Sequence, residues 1–174
     1  MTEIKIDASD FAKIEAAIRA LPADIRHKVM SKAIRGVMRQ GRSRVVDRIA
    51  ERMKLPKNVV RRTLTAFDAG DSTVLRARSK WLSLYRIGAT QTASGVNVRA
   101  RGSYQSAFIA TMNGGTTVFK RETAERNSAR ALYGPNPAHD ITASPADYER
   151  VIIEIAALDA VPRIRSELAK VLPK

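Results

Sequence analysis

Cysteine is absent from the 174 residues, and histidine occurs only at His27 and His139. The first absence excludes disulfides, thiolate nucleophiles and any zinc site built on sulfur. The second leaves little for general-base chemistry, because a nucleophile, base and orienting group must converge in space. His139 and Asp140 are merely neighbours along the chain, and a loop His beside an Asp reads as solvated polar chain. The 17 Asp and Glu residues are scattered, so no carboxylate cluster suggests a metal. No apolar run approaches the ~20 residues needed to cross a bilayer. The polar start MTEIKIDASDF does not resemble a secretory signal, and a soluble chain made in the cytoplasm is expected. Aromatics supply only 5% of the residues, which leaves the core to Ile, Val, Leu, Met and Ala. Gly114-Gly115 before Thr116-Thr117 reads as a hairpin turn and not a phosphate loop, since no helix start follows it.

Positive charge is what the chain has in excess. Lys and Arg number 31 against 17 Asp and Glu, a net charge of +14 at pH 7. The excess is uneven, with 13 cations and 3 acids between residues 22 and 64. A localised positive surface points to a polyanion or an acidic protein partner. Three readings stay open. One is a solvated helical face. Another is sequence-independent binding of nucleic acid by phosphate neutralisation. The third is contact with acidic partner subunits, or with DNA passing nearby unread. The helices flanking Leu55-Pro56 hint at a helix-turn-helix, yet Arg61-Arg62-Thr63 offers no Asn or Gln bidentate set for reading bases. The candidate polyanion- or partner-facing residues are Arg35, Arg39, Arg42, Arg44, Arg48, Arg61 and Arg62.

The length suits one domain. Residues 1–21 read as a short strand, Ile4-Lys5-Ile6, and a helix that Pro22 stops. Residues 22–64 form the basic helical part. Within it Ile34, Met38, Gly41, Val45 and Ile49 make one stripe of a long helix from Ala23 to about Met53. Gly36 and Gly41 either admit a close neighbour or mark a bend. Leu55-Pro56 ends that helix, and a short one follows from Asn58 to Leu64. Phe67 to Ser72 is a turn. Period-2 patterns then predict antiparallel strands at Thr73–Arg78, Leu82–Ile87 and Gly95–Arg101, and a pair flanking Asn113-Gly114-Gly115. Phe108, Ala110 and Met112, or the alternate set with Ile109, form that pair's packed face. Trp81 and Tyr85 are expected to pack under a sheet and not to stack on bases. Residues 122–143 read as a loop, with Leu132-Tyr133-Gly134-Pro135-Asn136-Pro137 extended. Ser144-Pro145-Ala146-Asp147 starts a C-terminal amphipathic helix over 144–174, which Pro162 should kink or divide.

Four blocks in order carry a resemblance. They are the run from Tyr85 to Gly102 (YRIGATQTASGVNVRARG), Ala107-Phe-Ile-Ala-Thr-Met112, Val118-Phe-Lys-Arg121 and Leu132-Tyr-Gly-Pro135. Together with the basic helix before Lys54-Leu-Pro-Lys57 and the following Asn58-Val-Val-Arg-Arg62, they resemble the phage minor tail protein Z family. The likeness covers roughly residues 25–172. The chain departs from the family pattern at Ser106, at the hairpin tip Asn113–Thr117 and at Asn127–Arg130. Members of that family are tail completion proteins of long-tailed phages and prophages, related to lambda protein Z.

The resemblance implies a virion protein of the tail or neck, acting at the head–tail junction. Its partners would be further copies of itself in a ring, commonly hexameric, together with tail and head-connector proteins. DNA would run in the channel without being read. No enzymatic activity, cofactor, metal site or membrane contact is expected. Hairpin edges would serve neighbouring subunits by strand addition, and a heterologous contact repeated by rotation would close the ring. The alternative is a sequence-independent nucleic-acid-binding protein using the basic 22–64 region. The fold expected is α+β: a long basic N-terminal helix, a central antiparallel sheet of four or five strands, and a C-terminal helix kinked near Pro162.

Overall fold

The computed structural model describes residues 15–16, 18–69, 72–112, 114–125 and 128–171. The expected strand at Ile4–Ile6 lies outside them, as does most of the first helix. The chain is α+β, with a long helix near its start, three small antiparallel sheets and a long helix near its end. It forms two compact units. One comprises residues 1–45, 64–76 and 144–174, the other residues 46–63 and 77–143.

Helix α1 (Ala23–Arg52) follows Pro22, whose missing N–H matters least at a helix start. Its end is built by three features. Lys54 adopts a left-handed φ of 49°, the Leu55 N–H returns to the Ala50 carbonyl at 2.9 Å, and Arg101 donates to the Met53 carbonyl at 2.6 Å. Together they satisfy carbonyls that a helix end leaves open. Helix α2 (Lys57–Arg61) follows Pro56 directly.

In the first unit α1 meets helix α4 (Pro145–Ala169). Val29, Ala33, Val45, Tyr148 and Leu168 are buried there. Gly36 admits the Arg163 side chain, since a Cβ at position 36 would lie 2.7 Å from its Nη1. The glycine therefore serves close approach, by a side chain. Arg163 is held by the Asp159 carboxylate one turn back. Gln40 completes the group when its amide is oriented with the nitrogen toward Asp159 and the oxygen toward Arg163, the assignment that satisfies both, at 2.9 Å each. The kink or division expected at Pro162 is not found, because α4 is a single element through that position. Pro162 and Leu158 are both exposed, so the Leu158 carbonyl that loses its N–H partner faces water. A proline there forfeits one hydrogen bond without stranding a buried acceptor.

Strands β1 (Leu64–Ala69) and β2 (Ser72–Ala77) form a two-stranded sheet. Phe67 belongs to β1 and not to a turn, and Arg76 lies over its ring at 4.6 Å from the centroid. Strand structure extends to Ala69 and resumes at Ser72, within the expected turn.

The second unit holds the other two sheets, ordered β3-β4-β5 and β6-β7-β8. The first comprises β3 (Ala89–Thr92), β4 (Gly95–Val98) and β5 (Gly102–Gln105), and the second β6 (Ala107–Met112), β7 (Gly115–Arg121) and β8 (Ala129–Leu132). The expected central sheet of four or five strands is thus divided, and Ser106 shows why. Its φ of 59° puts a left-handed residue between β5 and β6, so a run that alternates through it cannot continue in one sheet. Gly95, at φ 152°, is obligatory at the β3–β4 connection, because a Cβ would sit 2.2 Å from the Tyr104 carbonyl.

Two further expectations are corrected in this unit. Leu84–Ile87 is a 3-10 turn and not a strand, closed by Gly88 in the left-handed conformation. Residues 122–143 are not loop throughout, since β8 pairs antiparallel with β7 and helix α3 spans Pro137–Ala143. The hairpin of β6 and β7 does form, with Met112 opposite Gly115. Phe108 and Phe119 face each other across it with ring centroids 6.0 Å apart. Its buried residues are Ala107, Val118 and Phe119, whereas Met112 is exposed. Val60, Leu84, Val96, Val98 and Val118 are under 2% exposed, and each such burial is worth about 1.5–3 kcal/mol against exposure.

Candidate functional site

The arginines singled out by charge do not share one surface. Successive residues of an α-helix turn by about 100°, so Arg35, Arg39 and Arg42 fall within about 60° of one another while Arg44 and Arg48 lie on the opposite side. Arg42 is partly buried and donates to the Leu64 carbonyl at 2.7 Å, so it ties α1 to the start of β1. Arg35, Arg39, Arg44 and Arg48 are exposed, as are Arg61 and Arg62. The structure places Arg62 in company that charge counting missed.

Arg62 sits just beyond α2, on the wall of an open cleft of about 1010 Å³ in the second unit. Arg78, Lys80 and Arg86 also line it, and its described lining contains no Asp or Glu. Backbone bonds set this arrangement. The Arg78 N–H donates to the Thr63 carbonyl at 2.8 Å, and the Thr63 hydroxyl donates to Val60 at 2.7 Å. That brings Arg78 beside Arg62 although 16 positions separate them. Elsewhere in the unit cations meet acids, as Lys57 meets Asp47 at 2.7 Å, Arg130 meets Glu122 at 3.2 Å and Arg52 meets Asp140 at 3.5 Å. Among the described residues the four cleft cations form no such pair.

Aromatic rings stand beside these charges. Trp81 is 55% exposed, Tyr85 47% and Tyr133 58%, and all three line the cleft. The expectation that Trp81 and Tyr85 pack under a sheet is therefore wrong. Leu82, Leu84 and Ile87 fill the buried side of this segment, and the aromatics occupy its outer side. The alternation in Lys80-Trp-Leu-Ser-Leu-Tyr-Arg86 already carried that signal.

The wall bearing the aromatics is anchored at several points. Leu82 exchanges backbone bonds with Gly134 and Pro135, at 2.6 and 3.2 Å, and Ser83 bridges Tyr133. The Ser83 hydroxyl donates to that of Thr117 at 2.8 Å, which fixes the wall to the hairpin. His139 meets the Trp81 ring edge-on at 5.4 Å between centroids, so this histidine packs against an aromatic of the cleft wall.

Among the described residues no group of three or more His, Asp or Glu side chains could hold a metal ion. No described helix is long and apolar enough to cross a membrane. No protein-family model, curated protein or solved structure matches the chain.

Proposed function

We propose that this chain is a phage or prophage structural protein, a minor tail (tail completion) protein acting at the head–tail junction. It works by ring assembly and protein–protein contacts around the DNA channel, with no bond made or broken. The ordered blocks that resemble the minor tail protein Z family motivate the reading. The observation that carries it is how those blocks are used. Ala107–Met112 and Val118–Arg121 are paired across β6 and β7, Leu132 pairs with Val118, and Tyr133 bridges Ser83. The most recognisable residues therefore build one small open sheet and the wall beside it. The orders β3-β4-β5 and β6-β7-β8 leave β5 and β8 as outer strands, and such edges accept a strand from a neighbouring subunit.

The basic helix supplies charge for an acidic rim or a DNA channel. The test is complementation of a phage lacking this gene with a triple charge reversal of Arg35, Arg39 and Arg44. We expect normal tail tubes, unchanged folding by thermal melt and a loss of head-joined, infectious particles. Full joining by the charge-reversed chain would overturn the proposal.

A further inference from the structure

We infer that the cleft in the second unit is a binding site for single-stranded nucleic acid. The inference does not rest on the assembly reading. Four cations converge on an open cavity whose described lining carries no carboxylate. Like charges gathered without acids repel one another, and a bound polyanion removes that repulsion. The chain offers several anionic partners to such a patch in principle, and the rings decide among them. Trp81, Tyr85 and Tyr133 are each about half exposed, although large aromatics bury well and Leu82, Leu84 and Ile87 beside them are buried. Exposed rings interleaved with Arg and Lys make a stacking platform with an electrostatic groove, the arrangement used for unpaired bases and their phosphates. A duplex keeps its base faces stacked inside and cannot use the rings. An acidic peptide uses the charges alone.

The site is also roomy. About 1010 Å³ lies at the upper end of the range of about 300–1000 Å³ for small-molecule pockets, which suits more than one nucleotide. The wall that carries Lys80 and Trp81 is pinned by Asn136, whose carbonyl oxygen accepts the Lys80 N–H at 3.2 Å and whose amide donates to Ser79 at 2.9 Å. The platform is thus held in place before any ligand arrives, which lowers the ordering cost of binding. Stacking on the three rings accepts the face of any base, so affinity should be largely tolerant of sequence.

The chain supplies its own reporter. Trp81 is the single tryptophan, so its emission reads this cleft and not the arginines of α1. The full chain is titrated with a dodecamer of deoxythymidine, with an abasic dodecamer, with a duplex of the same length and with poly-glutamate. The thymidine oligomer should quench Trp81 to saturation and bind more tightly than the other three. With four phosphate contacts and about 0.7 counterions released at each, affinity should fall about 50-fold between 50 and 200 mM salt. Tyr85→Leu and Tyr133→Leu should each weaken binding at least about fivefold, the low end for a lost stacking partner. Both rings are exposed, so an unchanged thermal melt is expected and separates lost contact from lost fold. Arg86→Gln should flatten the salt dependence by about 0.7 in logarithmic slope. Equal binding of the abasic oligomer or poly-glutamate, tighter binding of the duplex, absence of quenching, or tyrosine variants that bind unchanged would each overturn the inference.

Discussion

Asn136 holds Lys80 in place from 56 residues away, its side-chain oxygen accepting the Lys80 N–H at 3.2 Å. The same oxygen accepts the Ala138 N–H at 3.1 Å, capping α3, and the amide nitrogen donates to Ser79 at 2.9 Å. The residue is only 3% exposed, so water cannot replace these bonds when they are lost. Asn136→Ala should therefore lower stability by about 2–3 kcal/mol, the sum of a lost helix cap and stranded buried partners. Asn136→Asp keeps the cap and loses only the donation to Ser79, and should fall between the two in urea unfolding. Equal stability of Ala and wild type would refute the anchoring role.

Gln91 gives a second, more local prediction. Its amide nitrogen donates to the Gly95 carbonyl at 2.8 Å, and its oxygen accepts the Ile109 N–H at 2.9 Å. A side chain from β3 thereby covers part of the outer edge of β6, an edge that would otherwise invite pairing with another chain. Gln91→Ala should speed hydrogen exchange at the Ile109 amide while leaving Val96 and Val98 protected. A local loss of about 1 kcal/mol is expected from partly exposed bonds of this kind. Uniform acceleration across the unit would instead mean that Gln91 holds the whole core.

The contrast between these two residues explains what could be read from the chain alone. Helix limits were legible because they are written locally, in Pro22, Leu55-Pro56 and Ser144-Pro145. The β6–β7 hairpin was legible for the same reason, since a two-residue connection fixes its register. The division into three sheets was not, because it depends on the single left-handed residue Ser106, and nothing in the type Ser demands that conformation. Strand β8 was hidden as well. Ala129-Arg-Ala-Leu132 has no β-branched residue, and it is a strand because β7 pairs with it. The cleft was half legible. Trp81 and Tyr85 alternate with Leu82 and Leu84, but Arg62, Arg78 and Tyr133 join them only through long-range pairing.

Pro162 yields a prediction of opposite sign. It sits inside an unbroken helix on an exposed face, where proline is less favourable than alanine by about 3 kcal/mol. Proline also restricts the unfolded chain, which returns about 0.4–1 kcal/mol of that difference. Pro162→Ala restores an N–H for the Leu158 carbonyl and should stabilise the first unit by about 2–2.6 kcal/mol. A rise in melting temperature checks it. A fall would show that the ring itself is needed.

At Gly36 two effects compete, and geometry decides between them. Alanine is favoured over glycine in a helix by about 1 kcal/mol, so Gly36→Ala on an open face would stabilise. Here the added Cβ would lie 2.7 Å from Nη1 of Arg163 and 2.8 Å from its Cδ. The side chain cannot simply swing away, because its guanidinium is bound to Asp159 and meets the Gln40 amide at 2.9 Å. Moving it breaks that group, and forced repacking of this sort costs about 1–3 kcal/mol. Gly36→Ala should consequently destabilise by about 1 kcal/mol, the propensity gain being outweighed. The decisive measurement is a double-mutant cycle with Arg163→Ala. Once the obstructing side chain is gone, Gly36→Ala should become stabilising, giving a coupling energy of about 2 kcal/mol between the two sites. If Gly36→Ala has the same sign in both backgrounds, the close packing of Arg163 on Gly36 is not what selects glycine there.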